Sequence, residues 1–223
     1  YEKLERELGT KIHFIHHAAD SFVYYPDNAY PEIASVFASD IVFVGSRHTA
    51  KRVLFKDILP ELCKKYRVRV YGAGWDMKDR ILRPAQKIAR NLGMNNMAGA
   101  INKNRITITQ EDERKLYSSA KICLNFHEYY KDGTPKNFEV ERTFKIAACG
   151  GFQISDYCLG MERYFEEDKE IKIARNKAEL LGLIDYYLRL EKDTGRNIGR
   201  LAGERVKKEH TYFNKTLFAF CFR

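Results

Sequence analysis

Three segments of this chain collect side chains suited to holding an anion, and each follows a short apolar run. Gly45-Ser46-Arg47 comes directly after Ile41 to Val44, with Lys51 and Arg52 a few residues on. This places permissive backbone beside three cations able to make charge-assisted hydrogen bonds. Asn125 and His127 close the run Ile122, Leu124, Phe126, where an amide and an imidazole can meet phosphate or hydroxyl oxygens. The polar loop Asp132-Gly133-Thr134-Pro135-Lys136-Asn137 leads into a helical pattern that carries Glu141, Arg142 and Lys145. A helix start offers unpaired N–H groups to an anion. Gly72-Ala73-Gly74-Trp75 follows another apolar run and reads as a tight turn, its indole used in packing.

Each assignment has a plainer rival. Cations at a helix start are commonly a solvated surface, and a lone histidine is commonly a hydrogen-bonded structural residue. Glu141 and Lys145 stand at the i, i+4 spacing of a helical ion pair. Neither His16-His17 nor His127 has convincing metal-ligand spacing.

The elements that must position these residues appear as apolar runs alternating with helical stripes. Tyr1 to Thr10 reads as a charged helix and Ile12 to His17 as a strand-like run. Together, residues 1–40 make an N-terminal arm or interdomain linker ahead of a domain spanning 41–223. Strands are expected at Ile41 to Val44, Val68 to Tyr71, Ile106 to Ile108, Lys121 to Phe126, Phe152 to Asp156 and Ile171 to Ala174. Val53, Leu54, Ile58 and Leu62 form a helical stripe in which Pro60 marks a kink or early end. Ile81 to Leu92 is expected to be helical and to lead into a polar, methionine-containing loop. Thr109-Gln110-Glu111-Asp112 resembles a capping box opening a helix to Ser119. The helix Asn137 to Ala148 ends at Cys149-Gly150-Gly151, since glycine takes the left-handed terminal conformation without strain. Two further stripes, Leu180, Ile184, Tyr187, Leu188 and Ile198, Leu201, Ala202, Val206, follow.

Strands alternating with helices predict an α/β fold, a doubly wound parallel sheet of about six strands, because parallel strands need crossover connections. In the order 3-2-1-4-5-6 the first and fourth strands are neighbours where the winding reverses, and ligands bind there. The loops Gly45 to Arg52 and Asn125 to Asn137 would then flank one crevice. No G-x-G-x-x-G follows the first strand, which weighs against a dinucleotide-binding dehydrogenase.

Composition sets the outer bounds. The 223 residues carry a net charge of +9, with 44% apolar and 13% aromatic residues, enough for a sizeable core and not the make-up of a disordered chain. The charge favours an anionic partner such as a nucleotide, a nucleic acid or a membrane surface. The aromatic residues are not interleaved with basic ones as a base-stacking platform, so nucleic acid is the least favoured. Five cysteines without a CxxC pair predict reduced thiols and a cytoplasmic setting rather than zinc or disulfides. No apolar run has the length of a membrane span, and no signal peptide pattern is present. Tyr1 rather than methionine opens the chain, which predicts a processed product or a piece of a longer polypeptide.

The order Leu124-Asn125, then Arg142-Thr143-Phe144-Lys145-Ile146-Ala147-Ala148-Cys149-Gly150-Gly151, then Phe152 to Asp156 resembles the C-terminal, donor-binding half of GT-B glycosyltransferases. It is most similar to the group of spore maturation protein CgeB-like proteins, whose strand ending in Leu-Asn leads to an Arg-x-Phe-Glu-x-x-Ala-Cys-Gly-Gly helix. The likeness continues in Phe43-Val44-Gly45-Ser46, in Val70 to Trp75 and in His210-Thr211-Tyr212. The resemblance implies the Rossmann-like half of a GT-B fold that transfers a sugar from a nucleoside diphosphate donor, without metal or other cofactor, to an unknown acceptor. It implies that Arg47 or Arg52 holds the donor diphosphate and that Arg142 belongs to the donor site. It also implies an N-terminal acceptor domain, and nothing here corresponds to one, nor to its catalytic base. The relatives carry a glutamate for the donor ribose where this chain has Lys145, which has no acceptor atom. Glu141, one turn earlier, either takes that role or pairs with Lys145. That departure keeps a non-catalytic nucleotide- or glycan-binding module open beside the enzyme.

Overall fold

Ile41, Val42, Phe43, Ile122, Cys123 and Leu124 are all fully buried although their side chains alternate between the two faces of their strands. Runs of this kind belong to interior strands of a parallel sheet covered by helices on both sides. The structure, a computed structural model, describes residues 2–11, 15–27, 36–47, 54–105, 108–128, 140–190 and 192–220. In chain order the described elements are α1 (Glu2–Leu8), β1 (Ser39–Val44), a π-helical turn (Leu54–Ile58) continuing into α2 (Leu59–Lys65), β2 (Val68–Tyr71), α3 (Met77–Asn91), α4 (Asn95–Arg105), α5 (Gln110–Ser119), β3 (Ala120–Asn125), α6 (Glu141–Ala148), β4 (Gln153–Asp156), β5 (Lys172–Ala174), α7 (Lys177–Arg189), α8 (Lys192–Glu209) and α9 (Tyr212–Phe220).

The five strands are parallel in the order β2-β1-β3-β4-β5. The expected winding is therefore present, with β1 and β3 side by side at its reversal. The strand expected at Ile106 to Ile108 is absent where it can be judged: Ile108 has no strand conformation, and positions 106 and 107 lie outside the described residues. Positions 15 to 17 of the early strand-like run are likewise irregular. The Leu54 stripe changes from π- to α-helical at Leu59, placing Pro60 in the first turn, where its missing N–H costs nothing.

On one face of the sheet Ile41, Phe43, Ile122, Leu124 and Ile154 pack against Leu59 and Leu62 of α2, Leu180 and Ile184 of α7 and Ile198 of α8. On the other, Val42, Val44 and Cys123 meet Leu116 and Tyr117 of α5 and Ile146 of α6, with Tyr24 of the arm closing the layer. A further cluster, centred on Phe144, Phe165 and Ile171, joins α6 to α8 through Ala202 and Val206. The capping box of α5 forms as expected, Thr109 Oγ1 accepting from the Asp112 N–H at 3.1 Å while the Thr109 N–H donates to Asp112 at 3.2 Å. The arm is tied to the C-terminal helices, since the Ala19 N–H donates to the His210 carbonyl and the Tyr212 N–H to that of Ala19.

The turn after α6 has Gly150 at φ +69°, with its N–H on the Ala147 carbonyl and that of Gly151 on Ile146. Against this turn α8 brings a seam of glycines. A Cβ on Gly199 would lie 2.3 Å from the Gly150 carbonyl oxygen, and one on Gly195 2.8 Å from the Phe152 ring. Gly99, inside α4, faces open space. Gly199→Ala is therefore expected to lower the free energy of unfolding by about 2 kcal/mol or more, as overpacking does. Gly99→Ala is expected to raise it by about 0.5–1 kcal/mol through helix propensity. Urea unfolding of the two variants reads both signs.

Candidate anion-binding crevice

The carboxyl ends of β1, β2 and β3 are knitted into one surface. Beyond the strands, the Gly45 N–H donates to the Tyr71 carbonyl and the Arg47 N–H to that of Ala73, both at 2.8 Å, so the two chain segments stay parallel past the sheet edge. Trp75 Nε1 donates to the Gly45 carbonyl at 2.7 Å, and its ring stands edge-on to Phe43. Gly72 has φ +122°, and a Cβ there would meet the Gly45 carbonyl oxygen at 2.5 Å. Only glycine fits this crossing. Arg47 is exposed, its guanidinium 5.8 Å from the centre of the Trp75 ring. Ser46 is exposed beside it.

Arg142 reaches across from α6 to this point. Its guanidinium lies 5.0 Å from the centre of the Phe43 ring and donates to the Phe126 carbonyl at 3.4 Å, and a Cβ on Gly45 would fall 2.8 Å from Nη1. Nε and Nη1 are buried and have no hydrogen-bond partner among the described residues. Burial pulls this guanidinium below its ordinary range, against the opposing pull of Tyr117, Asp156, Glu113 and Glu128. Arginine stays protonated in such settings, so the crevice contains a partly buried cation whose Nε and Nη1 remain as donors.

His127 is fully buried beneath the same edge. Its N–H donates to Asp156 Oδ1 at 3.0 Å, and Nδ1 stands 2.7 Å from the same oxygen. Nδ1 is the nitrogen that faces the carboxylate, and Nε2 has no hydrogen-bond partner among the described residues. Asn125 is fully buried too, its Nδ2 donating to Thr143 Oγ1 of α6 at 2.8 Å. It ties strand to helix, and its Oδ1 is buried with no hydrogen-bond partner among the described residues.

The helix expected from Asn137 begins at Glu141. Val140, a β-branched residue with extended backbone, stands at the cap. Glu141 and Arg142 thus occupy the first turn, where the helix dipole favours the carboxylate. Lys145 is turned away from Arg142 and into a polar knot. Its Nζ lies 3.1 Å from Glu141 Oε2, 3.9 Å from Glu113 Oε2 and 4.8 Å from the centre of the Tyr24 ring. Tyr24 and Tyr117 both donate to Glu113 at 2.8 Å. Burial and this carboxylate push both phenols up, so they stay protonated donors. The i, i+4 pair was legible in the sequence, whereas Glu113, Tyr24 and Asp156 were not assigned to the site. The signal available for Asp156 was its place at the end of a strand adjacent to that of His127. Arg52, Gly133, Thr134 and Asn137 lie outside the described residues, as does Lys51.

The structure thus gathers Gly45, Gly72, Arg47 and Arg142 at one crevice with His127 below it, and holds Glu141 and Lys145 beside it in an ion pair. A sequence profile of the glycosyl transferase-like family matches residues 47–216. The chain belongs to that family. No curated protein matches it. Among solved structures, sucrose-phosphate synthase from Thermosynechococcus elongatus superposes with TM-score 0.62 at 15% identity, over 99% of this chain and 55% of that one. HepE from Anabaena, in complex with UDP, gives 0.59 at 12% identity over 99% of this chain and 60% of its own. The C-terminal domain of a glycosyl transferase group 1 family protein from Francisella tularensis gives 0.53 at 12% identity, over 87% of this chain and 99% of that domain. The shared fold is that of a GT-B glycosyltransferase domain. The family member described here spans only 55% of the sucrose-phosphate synthase chain.

Lys145→Ala would leave Glu113 and Glu141 facing each other without their shared cation. A loss of about 1–3 kcal/mol is expected, between the worth of a surface ion pair and that of breaking a buried one. Lys145→Glu, with a third carboxylate in the knot, should lose more. Chemical denaturation of both variants at neutral pH tests this order, and equal midpoints to the parent would mean the knot carries no stability.

Proposed function

We propose that this chain is the donor-binding domain of a CgeB-like GT-B glycosyltransferase, moving a sugar from a nucleoside diphosphate to an acceptor held by a preceding domain. The observation that carries the reading is Arg142, a partly buried cation with two buried nitrogens that have no partner among the described residues, set against the glycine crossing of Gly45 and Gly72. When a glycosyl bond to a diphosphate breaks, negative charge grows on the departing phosphate oxygen. A preorganised cation lowers the cost of that charge, and does so most effectively where water is excluded. Arg142 supplies a partly buried charge and Arg47 an exposed one at the rim. The presence of UDP and UDP-glucose in HepE structures supports a nucleotide sugar as the donor class.

The ribose would be met differently from the relatives' pattern. Glu141 is already engaged by Lys145 and by the Tyr212 phenol, which burial and this carboxylate push up. Backbone groups are then the partners proposed for the ribose hydroxyls. A second reading, a nucleotide-binding module without transfer activity, rests on the same knot, because it occupies the place where the relatives carry their glutamate.

In the donor reading the chain binds a nucleoside diphosphate equally with and without chelator. Calorimetry with uridine, guanosine and adenosine diphosphates tests this, and silence with all three would remove both readings. Arg142→Met, which keeps packing on Phe43, is expected to weaken the bound diphosphate by about 1.5–3 kcal/mol, the worth of a charged hydrogen bond. Unchanged affinity with intact folding would place the diphosphate elsewhere. Hydrolysis or transfer of a bound nucleotide sugar by the longer polypeptide would separate the enzyme from the module.

A further inference from the structure

The helix α3 is built inside out. Its buried positions are Asp79, Gln86 and Ala89, with Asp79 accepting from the Gly74 N–H and Gln86 donating to the Ala98 carbonyl of α4. Its large apolar side chains face solvent instead: Met77 and Ile81 are 66% exposed, Ile88 59% and Leu92 69%. Their spacing of four, seven and four residues puts them within an arc of roughly 60° at 3.6 residues per turn. Surface helices normally turn that stripe inward. Here it forms a narrow exposed ridge, with Met94 and Met97 also exposed where α4 begins.

The ridge is flanked by cations. Arg80 and Lys87 project on one side of it and Lys78 on the other, all exposed, and Arg83 and Arg90 lie further round. Across positions 77 to 105 there are seven lysines and arginines and a single acid, Asp79, which is buried and paired with Arg83. We propose that the outward face of α3 docks onto an anionic lipid surface, the apolar ridge entering the headgroup boundary and the flanking cations meeting lipid phosphates. An apolar stripe with a basic border is the pattern of helices that lie in that plane. Nucleic acid fits less well, because the centre of the face, where phosphates would sit, is apolar. A second copy fits less well because like charges would meet across the contact. The proposal is independent of the donor-site reading.

The test is co-sedimentation of the 223-residue chain with vesicles of mixed phosphatidylcholine and phosphatidylglycerol, against vesicles of phosphatidylcholine alone. Binding is expected to the mixed vesicles only, weakening as salt screens the cations. The double variant Ile81→Glu/Ile88→Glu is expected to lose at least about tenfold in vesicle affinity, since each residue would have buried a full apolar side chain. Both positions are exposed, so its thermal midpoint and nucleoside diphosphate affinity should match the parent. Absence of binding to mixed vesicles at low salt overturns the proposal. So does vesicle binding that the double variant keeps, which would make it charge alone. Concentration-dependent self-association, or duplex DNA binding tighter than vesicle binding, with either one abolished by the variant, would assign the face to a second copy or to nucleic acid.

Discussion

The pairing of β1 with β3 is the contact on which the rest depends. Ile41 faces Ile122 and Val42 faces Cys123 in parallel register, although β2 and several helices lie between the two strands in the chain. Because both strands run the same way, their carboxyl ends open at the same edge, and the winding reverses there. Everything chemically distinctive follows from that placement. Gly45 leaves one strand where Phe126 and His127 leave the other, so an arginine on the helix after β3 can reach the glycine backbone after β1. A one-residue slip in this register would exchange Phe43 for Val42 on the helix-covered face and remove the ring under Arg142.

The βαβ unit from β3 to β4 was legible because its signals are local. Apolar runs, a helical stripe and a double glycine stand close together, and Gly150 takes the left-handed conformation its type suggested. The parts that could not be read depend on distant partners or on weak patterns. Residues Asn95 to Arg105 looked like a polar loop because few of them are apolar, yet they form α4, held through Gln86 and Ala98 rather than by a hydrophobic stripe. Ile106 to Ile108 had the composition of a strand, but Ile108 packs beside the Val42 layer without strand pairing. Β-branched Val140 delayed the start of α6, a boundary effect smaller than the pattern that predicted the helix.

The site divides in the same way. Arg142 was assigned from the resemblance to relatives, and its guanidinium stands against Phe43 and Gly45 at the carboxyl edge of the sheet. Lys145 was the departure, and its ion pair with Glu141 was readable from spacing alone. Its second carboxylate, Glu113, comes from α5, and the ring over it from the arm. These non-local contacts turn an exposed helical pair into a half-buried knot. The knot changes the charge presented at that end of the crevice from one carboxylate to a compensated cluster, and it fixes the arm against α6 through Tyr24.

The glycine seam of α8 has a bearing on what holds that helix in place. Gly195, Gly199 and Gly203 give up about 0.8–1 kcal/mol each of helix propensity relative to alanine, so this segment has little tendency to be helical by itself. Its regular form is secured only when the Gly150-Gly151 turn and Phe152 are in position to receive it. The helix thus draws its stability from the sheet and the turn it packs against and little from its own propensity, and the arm is tied to the same support where Ala19 bonds the backbone of His210 and Tyr212 just beyond α8.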